Sequence, residues 1–499
     1  MAQDLSQDRP ASAPPLAPPL ALPGAEDLAA LAACTDAAGF LPGADSAVAP
    51  YLAEPRDRLQ GRAAALLKPR DTGEVAAILA ECNRRRLAVL PLSGGTGLVG
   101  GQVMAPSSSG IPDPILLCLE RMNRIREVSP ADGVLVAEAG VALEAVQQAA
   151  AEAGRLFPLA MASQGSCRIG GNLATNAGGV QVLRYGNARD LCLGVEAVLA
   201  DGSVHHGLKR LRKDNMGYDL KGLLIGSEGT LGVITAAVLK LFPAPGESVT
   251  AMLAVPDPAA AVALLHALRA RLGDGLTAFE LIAAQGPAFI AEQHPDWRDP
   301  LEGRPRWRVL MEATGPAEGA LAERAEAAFA DLFEDGLATD GVIAASEAQR
   351  RAMWWTRETI PEANRKVGAI ASHDISVPLS AIPSVIEEVR RAVKALDPTI
   401  RLNSFGHVGD GNLHLNAFPA EGRRAADYAE TRGEVVRIVH DTAMAHGGSI
   451  AAEHGIGRVK RADLARFGDP AKLAAMRAIK AALDPNGILN PGAVLPPES

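Results

Sequence analysis

The sequence predicts an α+β protein, and three observations carry that prediction. From about residue 53 to 245, short apolar runs alternate with helix-patterned segments, the mark of an α/β unit. After Pro243 and Pro245 the texture changes to strands interleaved with long Ala/Leu-rich helices, which reads as a second, α+β unit. At 499 residues and 48% apolar composition the chain is long enough for two or more cores.

The elements follow in order. The Pro/Ala tract PASAPPLAPPLALPG lacks the basic start of a signal peptide and the Arg-rich character of a transit peptide, so residues 1 to about 24 read as a flexible tail. GEVAAILAECNRRR (73–86) has the spacing of an amphipathic helix, and LAVLPLS (87–93) reads as a buried strand. Further strand-like runs are PILLCLE (114–120), GVLVAEAG (133–140), LGVEAVLADG (193–202) and GTLGVITAAVLKLFP (229–243), with Asp201-Gly202 as a hairpin turn. Beyond residue 245, VTAMLAV (249–255), WRVLMEAT (307–314) and SHDISVP (372–378) read as strands, with helices over 258–272, 316–333 and near 381–396. Asp469-Pro470 starts a last helix whose Leu473, Met476, Ile479 and Leu483 share one face, and Asp484-Pro485-Asn486-Gly487 ends it.

Composition excludes several classes. A net charge of −9 offers no global basic field, so nucleic acid is not an expected partner, and KRLRK (209–213) reads as a local surface feature. No apolar run approaches the roughly 18 residues a membrane span needs, so a soluble protein without a transmembrane segment is expected. Five scattered cysteines without a CxxC pair suggest neither a disulfide framework nor a thiolate metal site, and point to the reducing cytoplasm.

Three glycine-rich stretches stand out. GGTGLVGG (94–101) contains Gly95-x-Gly97-x-x-Gly100 after a strand, but GQVMAPSSSGIPDP follows it and cannot form the helix that a Rossmann fingerprint requires. The missing GK[ST] step excludes a Walker loop as well. What remains is a loop whose bare amides can approach an anion, or a plain glycine turn. SQGSCRIGGNLATNAGG (163–179) and LIGSEGTLGVIT (224–235) repeat that character, which favours the binding reading.

These stretches, with IGGNLATNAGGVQVLRYGNARDLCLGVEAVLADG (169–202), LRKDNMGYDLKGLLIGSEGTLGVIT (211–235), GHVGDGNLHLN (406–416), AAEHGIGRVKR (451–461) and LDPNGILNPG (483–492), resemble a family of flavoenzymes. It is the family of FAD-linked D-2-hydroxyacid dehydrogenases, of the D-2-hydroxyglutarate and D-lactate dehydrogenase type, and the similarity runs in order over about residues 45–495. The resemblance implies an FAD-binding domain of the vanillyl-alcohol-oxidase type with two α/β subdomains (25–245), an α+β substrate cap carrying a metal site (246–460), and a C-terminal helical segment packing back on the FAD domain (461–499). It implies FAD held at the pyrophosphate by Ser93, Gly94, Gly95, Thr96, Gly97 and Gly100. Gly165, Ser166, Cys167, Gly170, Gly171, Asn172, Thr175, Asn176, Gly178 and Gly179 would lie near the flavin and phosphates. Glu228, Gly229, Gly232, Val233 and Ile234 would surround the adenine end, with Asn490 from the C-terminal motif also on the cofactor. Thr96 stands where members with covalent flavin often have histidine, so the FAD is expected to be non-covalent.

In SFGHVGDGNLHLN (404–416), reading Asp410-Gly411 as a two-residue type I′ turn makes His407 and His414 direct cross-strand neighbours, with Asn416 on their face and Val408 and Leu413 turned into a core. Two such imidazoles either chelate a divalent metal or are packed strand histidines. The resemblance favours the metal, with His407, His414 and Glu453 as ligands, Zn expected and Mn or Fe as alternatives. It likewise implies His454 as the base for the substrate hydroxyl and Arg357, in WWTRETIPEANRK, as the substrate-carboxylate partner, with Asn416 and Ser372 also on the substrate. Two departures matter: Pro361 and Ser372 stand where the hydroxyglutarate enzymes have a threonine and a lysine for the distal carboxylate, a charge that Arg365 or Lys366 could supply instead. The expected activity is oxidation of a D-2-hydroxy acid to the 2-oxo acid, with electrons passed to an electron-transferring flavoprotein or quinone; a homodimer is compatible with it. A flavin oxidase, an alkylglycerone-phosphate-type synthase and a non-catalytic flavin- or metal-binding protein are the alternatives.

Overall fold

The computed structural model describes residues 18–55, 59–105 and 110–497. Most of the expected tail therefore lies outside the described residues. Within residues 18–24 the chain is pinned: Ala21 N–H donates to Arg86 O at 2.8 Å, and Leu20 and Ala21 pack on a core, which corrects the expectation of a tail flexible to residue 24.

The first half builds two larger sheets and a two-stranded pairing of Arg155–Leu156 with Phe242–Pro243. One orders Phe40–Pro42, Ala65–Leu67, Ile115–Cys118 and Val89–Leu92, the last three parallel, and the helix Thr72–Arg85 covers it as its apolar spacing requires. The other is antiparallel and orders Ile125–Ser129, Val134–Glu138, Val233–Lys240, Cys192–Val198 and Val204–Gly207. Asp201-Gly202 lies in its last hairpin, inside a connection longer than two residues, since Val198 pairs with Val204. All five cysteines are unpaired.

A seven-stranded sheet dominates the second half, ordered Asp340–Ile343, Glu247–Val255, Trp307–Gly315, Leu276–Ala283, Arg401–Gly406, Asn412–Phe418 and Ile375–Ser376. One face, with Phe279, Leu281, Leu413 and Leu415, packs on the helices Pro258–Leu272, Leu321–Glu334, Ile382–Leu396 and Ala429–Ala445. The other, with Ile282 and Phe405, packs on Met353, Ile360 and Ala363 of the helix Glu347–Val367. Because strand side chains alternate, Glu280, His414 and Asn416 fall on this second face. The sheet thus aims its polar residues at the helix that carries Arg357.

The end of the chain returns to the first half. The helix Pro470–Leu483 closes at Asp484, and Ile488 and Leu489, both fully buried, join the first core, with Val89 N–H donating to Ile488 O at 2.8 Å. Among the described residues no helix is long and apolar enough to cross a membrane.

Candidate active site

The expected two-residue hairpin is not formed. Five residues, 407–411, separate the strands: a 3₁₀ turn covers Val408–Asp410, only Gly411 is left-handed (φ 88°), and His414 pairs with Phe405 instead of His407. A type I′ turn needs positive φ at both central residues, and Asp410 instead uses its carboxylate to accept the Asn412 N–H at 3.2 Å. Only glycine suits position 411, since a Cβ there would sit 2.4 Å from Val377 O. Val408 and Leu413 do face the core. The longer loop lifts His407 off the strand and over Glu280.

Even so, the structure brings the three expected ligands together. His407, His414 and Glu453 each offer a ligand atom within 4.8 Å of the others'. His407 Nε2 lies 3.6 Å from Glu453 Oε1, and the two rings stand edge-on at 5.7 Å. Two carboxylates that the sequence reading missed lie behind them. Glu280, fully buried, bonds His407 Nδ1 and accepts from Arg357 Nε at 2.6 Å. Asp374 accepts the N–H groups of both Glu453 and His454 at 3.0 Å and lies 3.2 Å from His454 Nδ1 and 3.8 Å from His414 Nδ1. A lone Glu in the apolar run LTAFELIA, and the Asp of SHDISVP, were the available signals.

Electrostatics follow from burial. Burial opposes charge on His407, but Glu280 and Glu453 outweigh it and raise the imidazole to about 9. Burial pushes His414 down to about 3, so it stays neutral. Glu453 is raised to about 7 by burial, with His407 opposing and Asp374 adding. Glu280, despite burial, is held down to about 2 by Arg357 and His407. Two imidazoles and one carboxylate in reach of one point, each imidazole backed by a carboxylate, form a donor set that suits Zn²⁺, Mn²⁺ or Fe²⁺.

Arg357, 5% exposed, spends Nε on Glu280 and stacks its guanidinium 4.9 Å from the Phe405 ring; its two terminal nitrogens make no hydrogen bond among the described residues. Asn416 uses its carboxamide oxygen on the His373 N–H at 3.0 Å. Ser372 and Pro361 are exposed, and Lys366 is paired with Glu362 at 2.8 Å.

The glycine stretches converge next to this cluster. Gly171 N–H donates to Ser93 Oγ at 3.1 Å, and a Cβ at Gly94 would lie 2.5 Å from Ser166 O, so the first two loops touch. Gly95 is left-handed (φ 69°) with nothing within 4 Å of where a Cβ would stand, which leaves a backbone cradle open to an anion. Thr96, Gly97 and Gly100 continue that loop, with Gln102 Nε2 donating to Gly97 O at 2.6 Å. Glu228 accepts the N–H groups of Ile456 and Gly457 at 2.8 Å each, and Asn490 donates to Gly101 O and Glu228 O. Other predicted cofactor residues serve the protein itself: Gly170 abuts Ala139, Cys167 is buried, Asn176 Oδ1 accepts from the Arg189 N–H, Gly229 lies against Pro91 and Gly232 against Leu224, while Val233 and Ile234 turn into cores. Thr175 bonds Gly171 O, and Gly165 lies near Glu144. Gly178 sits against the His407, His414 and Glu453 cluster: a Cβ there would be 2.8 Å from Glu453 Oε1, and one at Gly179 would be 2.0 Å from Ala160 O.

Residues 244–494 match the family model described as FAD linked oxidases, C-terminal domain, and residues 63–207 match the FAD binding domain. The chain is 40% identical over 439 residues to a mitochondrial D-2-hydroxyglutarate dehydrogenase of Bos taurus, covering 88% of this chain and 78% of that protein. It is 37% identical over 437 residues to the D-2-hydroxyglutarate dehydrogenase of Xanthomonas citri pv. viticola, covering 86% and 88%. Among solved structures, p-cresol methylhydroxylase with substrate bound superposes with a TM-score of 0.73 at 17% identity, covering 94% of this chain and 96% of the other, a likeness of fold alone.

Proposed function

The chain belongs to the family of FAD-linked oxidases, and from that premise we propose that it is an FAD-dependent dehydrogenase oxidising a D-2-hydroxy acid, D-2-hydroxyglutarate or a D-lactate-like acid, to the 2-oxo acid, assisted by a divalent metal. The observation that carries this reading is the contact of Glu453 with Gly178, which sets a two-histidine, one-carboxylate cluster against a glycine loop of the FAD-binding unit. Bound FAD supplies a two-electron acceptor, and an ion on His407, His414 and Glu453 supplies Lewis acidity toward the substrate hydroxyl.

The chain's own residues do the rest. The unused fork of Arg357 takes the substrate α-carboxylate, a planar match that also fixes orientation. Asp374 holds His454 by backbone and ring, and in this reading the His454 imidazole receives the hydroxyl proton. Pro361, Arg365 and Ser372 are all exposed and Lys366 pairs with Glu362, so exposure singles out neither Arg365 nor Lys366 as the substitute for the distal-carboxylate lysine. The redox partner in this reading is an electron-transferring flavoprotein or a quinone, the FAD is non-covalent, and the unpaired cysteines suit a reducing compartment such as the cytoplasm.

Anaerobic flavin bleaching against paired D- and L-2-hydroxy acids, before and after chelation, tests the reading. Bleaching by D-acids only, lost with the metal and restored by Zn²⁺, is expected. Equal bleaching by L-acids would overturn the stereochemical assignment, and full activity after verified metal removal would overturn the metal's part.

A further inference from the structure

Glu280 sits in the middle of the strand Leu276–Ala283, where its neighbours Phe279 and Leu281 face one core and Ile282 joins another. A fully buried carboxylate in such a strand is costly unless both oxygens are engaged. Here each oxygen has a different partner: Oε2 accepts from Arg357 Nε at 2.6 Å, and Oε1 bonds His407 Nδ1. The first contact uses Nε of the guanidinium, and its terminal nitrogens make no hydrogen bond among the described residues. The second occupies one nitrogen of the imidazole and leaves Nε2 on the side of Glu453, 3.6 Å away. Phe405, cross-strand partner of His414, lies under the guanidinium at 4.9 Å.

We propose that Glu280 is a positioning residue that sets both ends of the substrate site at once, aiming the Arg357 fork at the substrate carboxylate and presenting His407 through Nε2 to the metal. The inference rests on the functional reading above and adds the coupling between its two halves. It differs from a plain structural ion pair, because an ion pair with Arg357 alone requires nothing of His407.

The test uses the full chain carrying FAD, depleted of metal and titrated with Zn²⁺ by equilibrium dialysis, with KM and kcat for the preferred D-2-hydroxy acid measured on reloaded protein. Flavin absorbance and thermal unfolding report the fold. Glu280→Gln is expected to weaken Zn²⁺ binding roughly 10- to 100-fold, the usual effect of removing a carboxylate behind a ligand histidine, and to raise KM. Arg357→Met is expected to raise KM while leaving Zn²⁺ affinity within about twofold. The Glu280→Gln/Arg357→Met pair should keep the Zn²⁺ defect of the first and show a KM no higher than the second, since both act on one interaction. Glu280→Asp, which keeps the charge but shortens its reach, should show both defects in weaker form.

Wild-type Zn²⁺ affinity in Glu280→Gln, or KM effects that multiply in the pair, would overturn the proposal. If Glu280→Gln alone does not fold, the pair, with both charges gone, decides: Zn²⁺ affinity equal to that of Arg357→Met overturns it. Should the pair fail as well, wild-type Zn²⁺ affinity in Glu280→Asp has the same force. His407→Ala separates the layers. If it retains the Zn²⁺ affinity of the wild type, the metal-site reading fails; if it loses Zn²⁺ while the Glu280 variants keep it, only the positioning role fails.

Discussion

At the residue scale, His454 combines a ring nitrogen turned to Asp374 with a backbone N–H held by the same carboxylate, so its orientation is fixed twice. His454→Ala is therefore expected to lower kcat roughly 10²- to 10⁴-fold, as for loss of a positioned general base, with flavin content unchanged; anaerobic stopped-flow reduction reads it. Wild-type reduction rates would reassign the base. His407, His414, Glu453, His454 and Arg357 could be picked out as candidates because each lies in a stretch that resembles a family motif, and the structure brings them together. Glu280 and Asp374 could not, because their significance is their neighbours, residues up to 127 positions away in sequence.

At the element scale, the glycine loops divide into those that serve packing and those that leave space. Gly95 and Gly154 share φ 69° and have nothing within 4 Å of where a Cβ would stand, but only Gly95 lies in a predicted cofactor loop. Replacing either by Ala costs about 1 kcal/mol of backbone strain. Gly95→Ala is expected to weaken FAD binding at least about tenfold beyond that shared strain, whereas Gly154→Ala keeps wild-type FAD affinity, measured by flavin fluorescence titration. Equal affinities would remove the loop from the cofactor site.

The antiparallel sheet of the first half carries its own acid sensitivity. Glu138 is fully buried and bonded by Arg124 and Arg126; burial works against its charge, yet the arginines hold it below the ordinary 4.5. A lowered carboxylate stabilises the fold above its unfolded value and loses that contribution as pH falls below it. Glu138→Gln is accordingly expected to cost roughly 2 kcal/mol at pH 7, with the gap to wild type narrowing as pH drops below 4.5. Urea unfolding at stepped pH checks it, and a gap constant with pH would refute it. The hairpin at 407–411 was misread at this same scale. Asp-Gly is the right signal for a two-residue turn, but Asp410 closes its own turn with Asn412, and a longer connection results.

At the scale of the whole molecule, the glycine loops and the loop that carries Glu453 are tied by Glu228 and Arg458. Glu228 holds the amides of Ile456 and Gly457, three and four residues past Glu453, and Arg458 donates to Gly100 O, Gly101 O and Asn490 Oδ1. Glu228→Ala should speed hydrogen exchange at residues 456 and 457 by about tenfold or more, the equivalent of a lost charge-assisted bond, and should lower Zn²⁺ affinity with it. Unchanged exchange would show that the loop is held by other contacts.

What the sequence by itself determined is what repeats locally: the periodicity that makes the helix Thr72–Arg85, the apolar runs that become buried strands, and motifs dense enough to identify a family. What only the tertiary structure decided is the meeting of distant groups: Glu280 between Arg357 and His407, Asp374 behind His414 and His454, and Gly178 against Glu453. The reason is physical. Local patterns arise from backbone geometry within a few residues, whereas a buried carboxylate acquires its charge, direction and use only from the partners that folding packs around it.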